Sequence, residues 1–99
     1  MGVKETLAPL MDDVINSMSS NEFTSYDFMM AFSRFQERAY VEALYASLSH
    51  PAGPFAALRE ILESLLGENP NASLLRDGAR AIDMFGLPGT TKLWQLKRG

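Results

Sequence analysis

The chain has no cysteine, one histidine and one tryptophan in 99 residues. Without thiols there are no disulfides, thiolate metal sites or cysteine nucleophiles. The absence suits a reducing compartment, so the expected location is cytoplasmic. No run of about 18 apolar residues occurs, which excludes a membrane-spanning helix. The opening residues, MGVKETLAPLMDDV, hold neither a long apolar core nor a small-residue cleavage site, so no signal peptide is expected. Positive charge is also scarce. Nine Lys and Arg stand against 12 Asp and Glu, a net −3, which speaks against a surface built generally for nucleic acid. Residues 1–66 carry four basic and nine acidic side chains, and residues 67–99 carry five and three, so any anion-facing surface belongs to the last third.

What the chain does have is apolar material. At 46% hydrophobic it can fold as one domain, residues 1–99, without a covalent staple. Leu7, Leu10, Met11, Val14 and Met18 recur at helical steps and predict a first helix, with Pro9 tolerated near its start. Thr24 then reads as an N-cap, Asp27 as the acidic half of a capping box, and Phe23 with Phe28 as a hydrophobic staple. From there to Leu48 runs the heaviest apolar stretch, with Tyr26, Phe28, Phe32, Phe35, Tyr40 and Tyr45 beside Met29 and Met30.

This stretch holds two stripes. Phe28, Phe32, Phe35 and Ala39 form one, and Val41, Leu44, Tyr45 and Leu48 the other, and they face nearly opposite ways at about 100° per residue. A helix of this kind is either sandwiched between several elements or broken near Gln36–Tyr40. Arg34, Glu37, Arg38 and Glu42 mark its wet side, with Arg38 and Glu42 spaced as an i, i+4 pair. Pro51, Gly53 and Pro54 punctuate the chain, and Pro54 opens a third helix with Phe55, Leu58, Leu62 and Leu65 on one face and Gly67 as its expected terminator.

The last third supports two readings. One is a fourth helix over Ala72–Phe85, weakened by Gly78. The other is a hairpin pairing Ala81–Phe85 with Thr90–Leu96 across a type II turn at Leu87-Pro88-Gly89-Thr90, with a further tight turn at Arg76-Asp77-Gly78. The expected fold class is therefore mainly α: a bundle of three to four helices around a long central helix, with at most a short C-terminal hairpin or strand.

Motifs for chemistry are thin. His50 precedes a proline in a loop with no partner motif. Asp12-Asp13 lacks calcium-loop spacing, and Glu60 with Glu63 reads as two solvated charges. Gly86-Leu87-Pro88-Gly89-Thr90-Thr91-Lys92 fails the phosphate-loop spacing and reads as a turn. Gly2 with Thr6 matches the N-myristoylation pattern, and Asn71-Ala72-Ser73 a glycosylation sequon. Their plain readings are a small residue after the start and a loop. No enzyme activity, metal or cofactor is expected.

Two functions remain. An aromatic and methionine-rich helical surface, drawn from Phe28, Phe32, Phe35, Val41, Leu44, Tyr45 and Leu48, would receive a protein partner or a second copy of the chain. Alternatively, three helices followed by a hairpin bearing Lys92, Lys97 and Arg98 resemble a winged helix-turn-helix, which would imply DNA binding.

Overall fold

In a computed structural model of the chain, residues 2–83 and 85–97 are described. Helix α1 (Val3–Leu7) passes through a 3-10 turn (Ala8–Leu10) into α2 (Met11–Ser17). Pro9 lies within that turn, where it has no α-helical hydrogen bond to break. Leu7, Met11, Val14 and Ile15 form the buried stripe of this segment.

Strand β1 (Glu22–Thr24) leads directly into α3 (Ser25–Phe35). The junction carries the complete capping box: the Asp27 amide donates to the Thr24 hydroxyl, and the Thr24 amide donates to the Asp27 carboxylate at 2.9 Å. Phe23 stacks on Phe28 with ring centroids 5.7 Å apart, which is the staple.

Helix α3 ends at Gln36, whose φ of −128° and ψ of 54° leave the helical region, and α4 (Glu37–Ala46) starts at once. The backbone bonds on either side of the break survive: the Gln36 amide reaches the Phe32 carbonyl, and the Gln36 carbonyl accepts from Tyr40. The change of axis lets Tyr40 swing inward beside Phe32, at 6.5 Å between rings. An aromatic chain of Phe23, Phe28, Phe32 and Tyr40 thus runs through the core.

Helix α5 (Pro54–Glu68) begins on Gly53, at a φ of 92° that favours glycine, with Pro54 at its first position. It buries Ala57, Leu58, Leu62, Leu65 and Leu66 against the other helices. Gly67 lies inside the helix, one residue before its end.

The last third corrects the expected fold class. The expected fourth helix is replaced by a strand over Ala72–Ile82, and the hairpin is long. Strands β2 (Ala72–Ile82) and β3 (Pro88–Leu96) pair antiparallel, and β1 adds to the other side of β3, giving the order β1-β3-β2. The molecule is α+β, with a three-stranded antiparallel sheet, and not a mainly α bundle. Physically, the helical spacing of Leu75, Ala79 and Ile82 loses to cross-strand pairing with β3 over nearly the whole strand. Two register shifts, between Leu74 and Arg76 and between Arg76 and Ala79, each insert one extra residue, so a period-two pattern cannot be read from the sequence. The second shift includes Gly78 at a φ of 76°.

The turn also lies elsewhere than expected. Asp83 folds the chain back by accepting the amides of Phe85 and Leu87, both at 2.9 Å, with Gly86 at a φ of 80°. Pro88 and Gly89 already belong to β3. Pro88 is its first residue, where the missing N–H is tolerated.

Burial in the core raises the Tyr40 phenol from its ordinary 10.0 to about 12. The neutral form is the one the fold favours. Its contribution to stability is therefore full below pH 10 and is lost as pH rises through about 12, because the unfolded chain releases this proton first. Urea unfolding at a series of alkaline pH values is expected to show that decline in the native chain and a flatter one in Tyr40→Phe. Identical slopes would contradict a shielded phenol.

Candidate functional site

One buried polar chain crosses the molecule. The Trp94 indole N–H, on β3, donates to the Ser25 hydroxyl at 2.9 Å, and that hydroxyl donates to Glu63 on α5 at 2.7 Å. Arg59, one turn earlier on α5, stands 3.9 Å from the other Glu63 oxygen. Donors and acceptors are matched along the chain, which makes it a tie between the sheet, α3 and α5. Glu63 is thus occupied by Ser25 and Arg59, while Glu60 faces His50 at 3.7 Å. The two glutamates serve different partners and do not converge on one point. His50 accepts the Ala52 amide at Nδ1 and caps its own loop.

The larger clefts, about 480 Å³ between Ile82 and Pro88 on the hairpin and about 330 Å³ between Met18, Phe23 and Met30, are shallow and open, and the more enclosed ones are small. A cleft of about 250 Å³ lies between Tyr26 and Met29 of α3, Phe55 and Arg59 of α5, and Asp83 and Phe85 at the hairpin turn. Phe55 and Phe85 meet edge to face along it, at 4.9 Å. Ligand pockets usually enclose about 300–1,000 Å³. A second, polar cleft of about 180 Å³ sets Arg59 and Lys92 against Glu63 and Asp77, so it carries no net charge for an anion. Among the described residues no group of three or more His, Cys, Asp or Glu could hold a metal ion.

The residues expected at a partner surface divide into two sets. Phe28 and Phe32 are fully buried and belong to the core, and Leu44 is half-buried against it. Phe35, Val41, Tyr45 and Leu48 are 55%, 57%, 77% and 62% exposed. The inward residues of α4 are Tyr40 and Ala43, with Ala39 and Leu44 half-buried against the core and Ser47 buried just past its end. Val41 and Tyr45, four residues apart on α4, and Leu48 in the turn that follows it face water. Arg38 and Glu42 flank the outer stripe and pair at 3.0 Å.

The residues expected on a basic wing do not gather. Lys92 is half-buried within β3 and Lys97 is exposed just past its end, bonded through its backbone to Asn71 at the base of the hairpin. An odd spacing on extended chain points the two side chains to opposite faces. Arg98 lies outside the described residues. The hairpin turn region instead exposes Ile82, Phe85 and Leu87. No helix among the described residues is long and apolar enough to cross a membrane.

Comparison with known protein families, with curated proteins and with solved structures finds no match. The site must be read from its own chemistry.

If the Trp94–Ser25–Glu63 tie is structural, Ser25→Ala should lower the unfolding free energy by roughly 1–3 kcal/mol, because it leaves the indole N–H unpaired in the interior. Trp94→Phe in the Ser25→Ala background should add less than it does alone. Strict additivity in a denaturant double-mutant cycle would refute the coupling.

Proposed function

We propose that this domain is a non-catalytic protein-interaction module that docks a partner on the outer face of α4. The observation that carries this reading is the exposed apolar surface of this segment: Val41 and Tyr45 on α4 and Leu48 in the turn after it face solvent, on the side away from the buried Tyr40 and Ala43. A helix stabilised only by its own domain places its large apolar side chains inward. Contiguous apolar surface facing water is the usual mark of a docking site. Phe35, the last residue of α3, extends the exposed apolar set up to the break. The absence of cysteine agrees with a role in the reducing cytoplasm.

A photo-reactive benzoylphenylalanine at Tyr45, expressed in the native cell, is expected to give covalent protein adducts. The same residue at Asn16, exposed on α2, should give none. Equal labelling at the two positions, or none at Tyr45, would remove the docking reading.

A second reading has one specific observation in its favour. Helices followed by a long hairpin, with a short strand added beside it, give the winged arrangement used by many DNA-binding domains. The charges argue the other way: α5, the helix before the hairpin, presents Glu60 and Glu68 to solvent. Fluorescence anisotropy with duplex DNA at low salt separates the two. DNA binding requires a salt-dependent signal whose slope falls by about one for each of Lys92→Ala and Lys97→Ala. No signal at low salt excludes it.

A further inference from the structure

We infer that His50 is a pH-sensitive latch on the loop between α4 and α5. Its neutral imidazole holds Ala52 at the rim of the cleft beside Phe55, and its protonated form lets Ala52 go. Two hydrogen bonds close this loop. The Gly53 amide donates to the His50 carbonyl at 2.9 Å, which closes a turn with Pro51 and Ala52 at its centre. Within that turn the Ala52 amide donates to His50 Nδ1 at 3.1 Å. A ring nitrogen accepts an N–H only while it carries no proton of its own. Nδ1 is therefore bare, and the single proton of the neutral ring sits on Nε2. That nitrogen faces the Glu60 carboxylate of α5 at 3.7 Å. Both contacts thus select the same tautomer.

Imidazole is the side chain that takes up a proton between about pH 8 and 5, and the nitrogen left to receive it here is Nδ1. The new N–H points at the N–H of Ala52. Two donors cannot share one hydrogen bond, so the amide turns away. On the other side of the ring, the gained charge strengthens the attraction to Glu60. Protonation trades one contact for the other: the ring stays with α5, and the Ala52 amide is released. The other charged groups on the surrounding elements have partners of their own. Arg59 faces Glu63, Arg38 pairs with Glu42 on α4, and Asp83 in the hairpin turn accepts the amides of Phe85 and Leu87.

The place of the loop gives the latch a consequence. Ala52 lines the cleft of about 250 Å³ together with Phe55, Phe85 and Asp83. Gly53, the next residue, offers its carbonyl to the Ala57 amide at the start of α5. The latch therefore stands where the hairpin turn meets that helix through the Phe55–Phe85 contact. A fall in pH loosens the Ala52 wall of the cleft, while the Gly53–His50 bond still holds the start of α5 in place.

Amide NMR of the native chain, followed from about pH 8 to about pH 5, tests the latch. The Ala52 amide resonance is expected to move with the same midpoint as the His50 ring protons. Its hydrogen-exchange protection, corrected for the intrinsic pH dependence of exchange, should fall roughly two- to tenfold, the weight of one hydrogen bond. His50→Asn supplies an acceptor two residues before the amide that does not titrate, so Ala52 should stay protected throughout. His50→Ala supplies none, and Ala52 should be unprotected at every pH. An Ala52 amide that ignores the imidazole titration overturns the inference. So does the same pH response in His50→Asn, or protection that survives His50→Ala.

Discussion

The bond from the Trp94 indole to Ser25, continued to Glu63, is the contact on which the arrangement of sheet and helices depends. Trp94 occupies the central strand and pairs with Phe23 on one side and Leu74 on the other. Ser25 is the first residue of α3, directly after the Thr24 cap. Glu63 reaches the hydroxyl from α5. One buried hydroxyl therefore fixes where the sheet, the start of α3 and the middle of α5 meet. A large aromatic residue on β3 could be buried in several orientations by apolar contact alone. Its single N–H donor allows one that leaves nothing unsatisfied. Once the strand and α3 are placed, Phe23 and Phe28 stack, and the aromatic chain through Phe32 to Tyr40 follows.

The break at Gln36 then decides what the surface looks like. A straight continuation of α3 would carry the Phe28–Phe32 stripe away from the core within a few turns. Beyond the break Tyr40 and Ala43 of α4 are buried, and so is Ser47 just past its end. The consequence falls on the opposite face. Val41, Tyr45 and Leu48 face solvent on the side of the segment away from the buried Tyr40. The core and the candidate interface are thus two outcomes of one backbone change, and neither side of α4 can be altered freely without the other.

Features closed within one or two turns were legible in the sequence: the Thr24–Asp27 capping box, the Phe23–Phe28 staple, the Arg38–Glu42 pair and Pro54 at a helix start. So was the choice between a sandwiched and a broken central helix, because two stripes half a turn apart demand one or the other. Strand β1 was not, since three residues carry no period and its partner lies about seventy residues further on. The hairpin was placed in the right region but with the wrong turn. Pro88-Gly89 is the stronger dipeptide signal, whereas the real reversal uses the Asp83 carboxylate and the positive φ of Gly86. Its length was hidden by the two bulges. As for the candidate surface, helical spacing revealed the stripe of Val41, Leu44, Tyr45 and Leu48 but could not say which way it faces. That depends on α4 packing through residues as small as Ala43 and Ser47.

The distribution of exposed apolar residues bears on how the hairpin and α4 divide their roles. Ile82, Phe85 and Leu87 at the hairpin turn region are as exposed as the α4 stripe, yet Phe85 is already engaged edge to face with Phe55. That contact joins the turn to the start of α5, so part of the apolar material there holds the hairpin against the helices. The outer side chains Val41 and Tyr45 of α4 are exposed, and the helix is anchored from its opposite side by Tyr40 and Ala43. An apolar group that links two elements of one chain contributes to folding. One that touches only its own helix contributes little until something covers it. By that criterion the exposed residues of α4 contribute less to folding than Phe85 at the hairpin turn, which is why the proposed docking surface is placed on α4.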